Sequence, residues 1–302
     1  MDLFRTTGVL DPEQVRSKKI VFLGLGSLGS LAVSNLAYPW RKIVLVDPET
    51  LDEHNVERHL LGRSSLGKSK AQEIADWLVD RGLNRDQIEA HDAYAEKVLP
   101  DHTDADLVVV NVDIRQVSDN INAWCYENNI PAVYGGIYPL GTGGETIVIR
   151  EPRDICYLCA AHFMGRGYEG HLNADYGLDP REQEDQQDNL KAVPALRWAI
   201  SSVASDMADL SLEILKGGTP ESQVLVHAHA WEPVLNLGSG KELNALTGFI
   251  LNQSKLGLVP NMKLIKNDRR YQVETTRSVL SLQLKRWEDC PMHSSLVSAD
   301  EI

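Results

Sequence analysis

Three stretches of this chain carry residue types that handle phosphate. The first is Gly24-Leu25-Gly26-Ser27-Leu28-Gly29, at the end of the apolar run IVFLGL. Glycines in a GxGxxG order permit a tight turn, a close approach of backbone to phosphate and close packing of helix on strand. The helix that follows offers free N–H donors and a partial positive charge. The second stretch begins with Asp47, which ends the apolar run Ile43–Val46, and continues through Asn55, Arg58 and Lys70. A carboxylate at the end of a second strand can accept hydrogen bonds from both hydroxyls of a ribose. The third is Asp113, closing the segment LVVVNVD. A dinucleotide pyrophosphate, with about two charges, is largely satisfied by the loop and helix. A triphosphate carries about four and sheds pyrophosphate when attacked, so it calls for side-chain cations and a metal. Asn55 and Arg58 would share one face of a helical turn. Lys70 opens the next helix, with Lys68 nearby. This surplus of cations predicts ATP rather than NAD.

The elements that must position these groups follow from periodicity. Ile20–Leu25, Ile43–Val46 and Leu107–Val112 are continuous apolar runs, as buried parallel strands require. Further strands are expected over Gln87–Ala93, Pro131–Gly136, Thr146–Arg150 and Val224–Ala230, with short ones over Arg270–Thr275 and Leu280–Leu284. Helices are expected over Ser30–Tyr38, Ser69–Arg81, Ser118–Asn128 and Pro194–Lys216. The last carries the stripe Leu196, Ile200, Val203, Met207, Leu210 and Leu215. Strands alternating with helices predict an α/β fold, a Rossmann-like doubly wound and mainly parallel sheet. Residues 165–190, including the run REQEDQQD, are too polar for a core and are expected to form a long mobile loop. His227 and His229 share one face of their strand, a spacing expected of packed sheet histidines.

Composition narrows the class. The chain has 302 residues, 43 acidic against 30 basic, for a net charge of −13. Bulk electrostatics of this sign disfavour nucleic acid and anionic membranes as partners. No basic segment leads into an apolar N-terminal run, and no apolar stretch is long enough to span a bilayer. With only four cysteines, the chain is not a disulfide scaffold, and a reducing cytoplasm is expected.

Three of those cysteines stand in pairs with metal-ligand spacing. Cys156-Tyr-Leu-Cys159 is one pair, and Cys290-Pro-Met-His293 has the same gap. Together they can form a tetrahedral Cys₃His zinc site, closed and therefore structural. Redox chemistry is the competing reading of a CxxC pair. Cys125, inside the expected helix NINAWCYENN, is a core residue by type.

The segment DPETLDEHNVERHLLG, followed by LGKSKA, resembles the ThiF/MoeB/HesA family, the adenylating domain of ubiquitin-activating enzymes. The resemblance runs from Arg5 to Phe163 and includes the tail pair at Cys290. It implies that Asp47 is the ribose acid, that Asn55, Arg58 and Lys70 face the phosphates, and that Asp113 holds Mg²⁺ or orients them. Ile114 and Ser118 stand where the family usually has Asn and Arg. Arg5 matches an arginine that reaches across a homodimer to the partner's phosphates. CxxC pairs are common at these two places in the family, which favours zinc over redox chemistry.

The implied reaction is attack of a small ubiquitin-like protein's C-terminal carboxylate, usually that of Gly, on the α-phosphorus of ATP. Pyrophosphate leaves and an acyl adenylate forms, for later conjugation or sulfur transfer. A conjugating enzyme or a sulfur donor would be the next partner. On this reading residues 1–302 form a single adenylating domain, residues 165–190 a crossover loop above the bound tail, and residues 240–302 an extension completing the zinc site. The loop reads equally well as an inert insertion. With three cysteines committed to metal and Cys125 to the core, the chain is expected to stop at the adenylate or to pass the acyl group to an outside thiol or sulfide. An NAD-dependent oxidoreductase would explain the glycines and Asp47 but not Asn55, Arg58, Lys70 or the paired ligands. A non-catalytic partner subunit would not need Arg58, Lys70 and Asp113. Within adenylation, a peptide C-terminus remains an alternative acceptor, and the acidic charge disfavours a tRNA base.

Overall fold

The computed structural model describes residues 6, 8–138, 143–164, 195–218, 221–228, 264–267, 270–273 and 278–294. An eight-stranded sheet runs through it in the order β10-β7-β6-β5-β4-β1-β2-β3. The strands are β1 (Lys19–Leu23), β2 (Lys42–Val46), β3 (Ile88–His91), β4 (Leu107–Val110), β5 (Ala132–Ile137), β6 (Gly143–Ile149), β7 (Gln223–Ala228) and β10 (Ser278–Gln283). Two further strands, β8 (Leu264–Asn267) and β9 (Arg270–Val273), pair antiparallel with each other. The helices are α1 (Pro12–Ser17), α2 (Ser27–Asn35), α3 (Lys70–Asp80), α4 (Ala95–Val98), α5 (Arg115–Asn128), α6 (Tyr157–Phe163), α7 (Arg197–Leu215) and α8 (Pro291–Ser294).

Every residue of β1 and β4 is buried, because both faces of the sheet are covered. On one face Val21, Val44, Val108 and Val110 pack with Ile121 and Cys125 of α5 and Ala160 of α6. On the other, Phe22, Leu45 and Val109 pack with Val33 of α2, Ile74 of α3 and Met207 of α7. Apolar runs without polar alternation are what this doubly wound arrangement needs.

The sheet is less parallel than its sequence pattern predicts. Strands β3, β2, β1, β4 and β5 are parallel neighbours. From β5 outward, β6, β7 and β10 each pair antiparallel. For β6 the cause is local: the stretch between Ile137 and Gly143 is too short for the crossover that a parallel pair needs. The architecture is a mixed α/β sheet with a Rossmann-like parallel half. Its strand order reverses between β1 and β4, which opens a crevice beyond their C-terminal ends.

Element bounds shift by a few residues from expectation. Helix α2 begins directly at Ser27, with Gly26 as its N-cap. Helix α3 follows an N-cap at Ser69 whose hydroxyl accepts the Gln72 N–H. Helix α7 buries Ile200, Val203, Met207, Leu210 and Leu215, but Leu196 caps its start and lies exposed. Helix α6, which carries Cys159, has no counterpart in the sequence pattern. Residues 165–190 and His229 lie outside the described residues. His227 is buried and faces Asp206 of α7. Among the described residues no helix is long and apolar enough to cross a membrane.

Candidate nucleotide crevice and sulfur cluster

The glycine loop leaves β1 at Gly24, whose φ of +81° lies in the left-handed region. A side chain there would also strike the carbonyl of Asn111, its Cβ 2.3 Å from that oxygen. Gly29 in α2 lies on the loop so closely that a Cβ would approach the Gly24 carbonyl oxygen to 2.0 Å. These two glycines set the turn and the helix–strand packing. Gly26 faces open space, the side from which a phosphate can approach the start of α2. Asn111, directly after β4, has both amide atoms buried without a hydrogen-bond partner among the described residues. Such groups at the floor of a crevice are ones that ligands or ordered waters satisfy.

Asp47 ends β2 and is buried beside the loop. One carboxylate oxygen accepts the Leu25 N–H at 2.6 Å and the other accepts the Glu49 N–H at 2.9 Å. Each oxygen retains acceptor capacity. Burial raises the Asp47 pKa, while the Leu25 hydrogen bond and the Lys70 charge oppose the rise. Lys70, first residue of α3, is buried, and its ammonium meets the Glu49 carboxylate at 2.5 Å. The Glu49 side chain is itself 69% exposed.

Asn55 and Arg58 lie on one turn, the Arg58 N–H donating to the Asn55 carbonyl at 3.0 Å. The Asn55 side chain also accepts the Asp52 N–H in a capping box. Arg58 is buried to 9% exposure. Asp113 stands beyond β4, open to solvent at the crevice mouth. Crowding by the surrounding protein and the Glu49 charge raise its pKa, against the pull of Lys70 and Arg58. Asp47, Arg58, Lys70 and Asp113 therefore sit within electrostatic reach of one another. Arg5 lies outside the described residues.

Three residues that the sequence reading passed over organise this crevice. Glu49 holds Lys70, and its position two residues after Asp47 in an Asp-Pro turn is the signal that could have exposed it. His59 is fully buried, its Nε2 bonded to the Leu25 carbonyl at 2.7 Å and its Nδ1 accepting the Leu61 N–H at 3.0 Å. That pattern requires the neutral tautomer with hydrogen on Nε2. Burial holds the imidazole down at about 4. Arg197 of α7 donates to the His59 carbonyl at 3.0 Å. His59 thus ties the glycine loop to the phosphate-side turn and to α7. Its partners are too remote in sequence for any motif to show.

The second assembly lies beyond the other half of the sheet. Cys156 and Cys159 at α6 meet Cys290 and His293 at α8, and all four are buried. The Cys156 sulfur is 3.9 Å from that of Cys159 and 3.6 Å from that of Cys290, and the Cys159 sulfur is 3.8 Å from His293 Nδ1. A tetrahedral ion with Zn–S bonds near 2.3 Å would space its sulfurs by roughly 3.8 Å. The four ligand atoms all lie within 4.8 Å of one another and can hold a metal. The Tyr126 ring stacks on His293 at 5.4 Å. Cys125 is apart from this cluster, buried in the core, and burial pushes its thiol up to about 12.

Comparison with known proteins agrees with this geometry. A model of the ThiF family matches residues 2–236. The chain belongs to the ThiF family. Among its relatives is ubiquitin-like modifier-activating enzyme 5 of Drosophila mojavensis, 27% identical over 53% of this chain and 44% of that one. The NEDD8-activating enzyme E1 catalytic subunit of Caenorhabditis elegans is 37% identical over 28% of this chain and 20% of its own. The chain thus spans under half the length of these curated relatives. A crystal structure of E. coli MccB with AMPCPP and MccA superposes with a TM-score of 0.59 at 15% identity, over 93% of this chain and 68% of that one. That likeness establishes the shared fold.

Proposed function

We propose that this ThiF-family chain transfers the adenylyl group of ATP to the C-terminal carboxylate of a small ubiquitin-like protein ending in Gly. The observation that carries the reading is the gathering of a buried Lys70, a buried Arg58 and Asp113 around the glycine loop and Asp47. A dinucleotide would leave these charges without a task. The names of the relatives support the acceptor class, and MccB, crystallised with ATP, supports the nucleotide. A peptide C-terminus is the second reading, favoured by the likeness to MccB bound to N-formylated MccA.

In the proposed reaction the loop amides and the start of α2 bind phosphate past Gly26, and Asp47 accepts the ribose hydroxyls. Phosphates entering beside Lys70 displace Glu49 from its ammonium, and Arg58 adds a second cation. Asn55 braces the turn that carries Arg58. The acceptor carboxylate is already ionised, so no general base is required. Rate comes from orientation and from neutralising charge that grows on the departing pyrophosphate. Arg5 would supply a further cation across a homodimer.

Asp113, with Glu49 and Asp47 close by, offers the oxygen donors that Mg²⁺ prefers. Mg²⁺ held there would neutralise phosphate charge. Cys156, Cys159, Cys290 and His293 fit Zn²⁺ by ligand type and spacing, and would pin the C-terminal strands to α6. No cysteine of the described residues lies in the crevice, which favours a chain that stops at the adenylate or passes the acyl group to an outside thiol or sulfide.

ATP–pyrophosphate exchange tests the reading. It should depend on MgATP and on a ubiquitin-like protein with a free C-terminal Gly. Exchange driven only by a short peptide would favour the second reading. NADH binding in the crevice with no exchange would overturn both.

A further inference from the structure

A second group of metal-ligating side chains lies at the outer edge of the sheet, apart from the sulfur cluster. Glu89 and His91 project from the same face of β3, the edge strand. His102, in the turn after α4, comes to meet them. Glu89 Oε1 lies 2.7 Å from His91 Nε2 and 3.7 Å from His102 Nε2. The three ligand atoms fall within 4.8 Å of one another.

His102 is the informative member. It is 4% exposed, and among the described residues neither ring nitrogen has a hydrogen-bond partner. The 3.7 Å separation from Glu89 is too long for a hydrogen bond. A buried imidazole left in this state costs free energy unless something else occupies its lone pair. A solvent-facing carboxylate and a second imidazole stand beside it.

We propose that Glu89, His91 and His102 form a site for a divalent transition metal of the zinc class, with at least one coordination position open to solvent. Two imidazoles and one carboxylate are a donor set that such ions accept, and three protein ligands leave a fourth position free. An ion with ligand bonds near 2.0–2.1 Å would hold its donors roughly 3.3 Å apart. The present 2.7 Å and 3.7 Å spacings straddle that value.

The charged surroundings divide the work. Lys42 engages the other Glu89 oxygen, Oε2, at 3.6 Å and leaves Oε1 facing the histidines. Lys19 pairs with Asp104, so its charge beside His102 is partly spent. Burial, then Lys19, lowers the His102 pKa. The site also touches the nucleotide crevice through the backbone, because the Asp47 N–H donates to the His91 carbonyl at 3.2 Å.

Cobalt separates this site from the sulfur cluster. Metal-stripped full-length protein is titrated with Co²⁺ while bound metal and the optical spectrum are followed. The proposal expects one equivalent that lacks the sulfur-to-cobalt charge-transfer band. Its affinity should fall by at least roughly 100-fold in His91→Ala, a loss no smaller than that from removing an outer-shell partner. Glu89→Gln, at a half-exposed position, should weaken it likewise if His91→Ala does not fold. The sulfur-linked band should persist in both. If every bound equivalent shows the sulfur band, or the sulfur-free equivalent survives both substitutions, the assignment is overturned.

Discussion

The nucleotide crevice and the sulfur cluster are built by opposite routes. The crevice draws its phosphate- and ribose-facing residues from Gly24 to Asp113, near the ends of neighbouring parallel strands, with Arg197 of α7 bracing them from outside that span. The cluster joins Cys156 to Cys290 across 134 residues. The crevice keeps ionisable groups in tension: Asp47 and Asp113 are both raised, and the buried Lys70 leans on an exposed Glu49. The cluster has its four ligands buried and close to tetrahedral spacing. Groups held away from their preferred charge state are suited to receiving a ligand and releasing it. Groups matched to a closed geometry are suited to holding structure.

The comparison breaks if either region does the other's work. Cys159→Ser should show the largest effect, loss of bound zinc and of more than about 4 kcal/mol in stability. Thermal melting and metal analysis check this, and exchange per folded molecule should stay near wild type. Lys70→Ala should do the reverse. Exchange should fall by about 10²–10³-fold, as for loss of one preorganised charge-stabilising group, while the melting temperature moves little.

His59 sharpens the contrast through pH. Its pKa is about 4 when folded, against 6.5 ordinarily. Between these values the unfolded chain holds the extra proton. The folded state therefore loses stability as pH falls from 6.5 to 4, by about 3 kcal/mol for this group. The contribution is whole above that window and does not change further below it. Urea midpoints of wild type and His59→Gln across the window should differ in slope, the variant being flatter. Cys125→Ala should have the smallest effect, about 1 kcal/mol of stability for a small core deletion. It should leave ATP–pyrophosphate exchange intact.

Much of the crevice was legible because its determinants are local. GxGxxG must follow a buried strand, an acid must end the next one, and Lys70 must open a helix after a capping serine. Each requirement is written within a few residues. The antiparallel turn at β6 was not legible, since TIVIR reads alike in either direction. Leu196 fits the helical stripe by period but lies at the cap, where it is exposed. Glu49, His59 and Arg197 escaped because their partners are set by packing between elements. The metal reading of Cys290 and His293 needed the distant Cys156 pair, and only the matching spacing and the family resemblance suggested their meeting.

By itself, then, the order of residues determined the parallel half of the sheet, the phosphate loop and the chemical types facing it, because strand, turn and cap preferences act over short range. Only the folded chain decided that the outer strands run antiparallel, that a neutral His59 clamps the loop, and that His102 is buried beside Glu89 and His91. Those outcomes depend on which surfaces exclude water together. That is a property of packed elements, and no segment carries it alone.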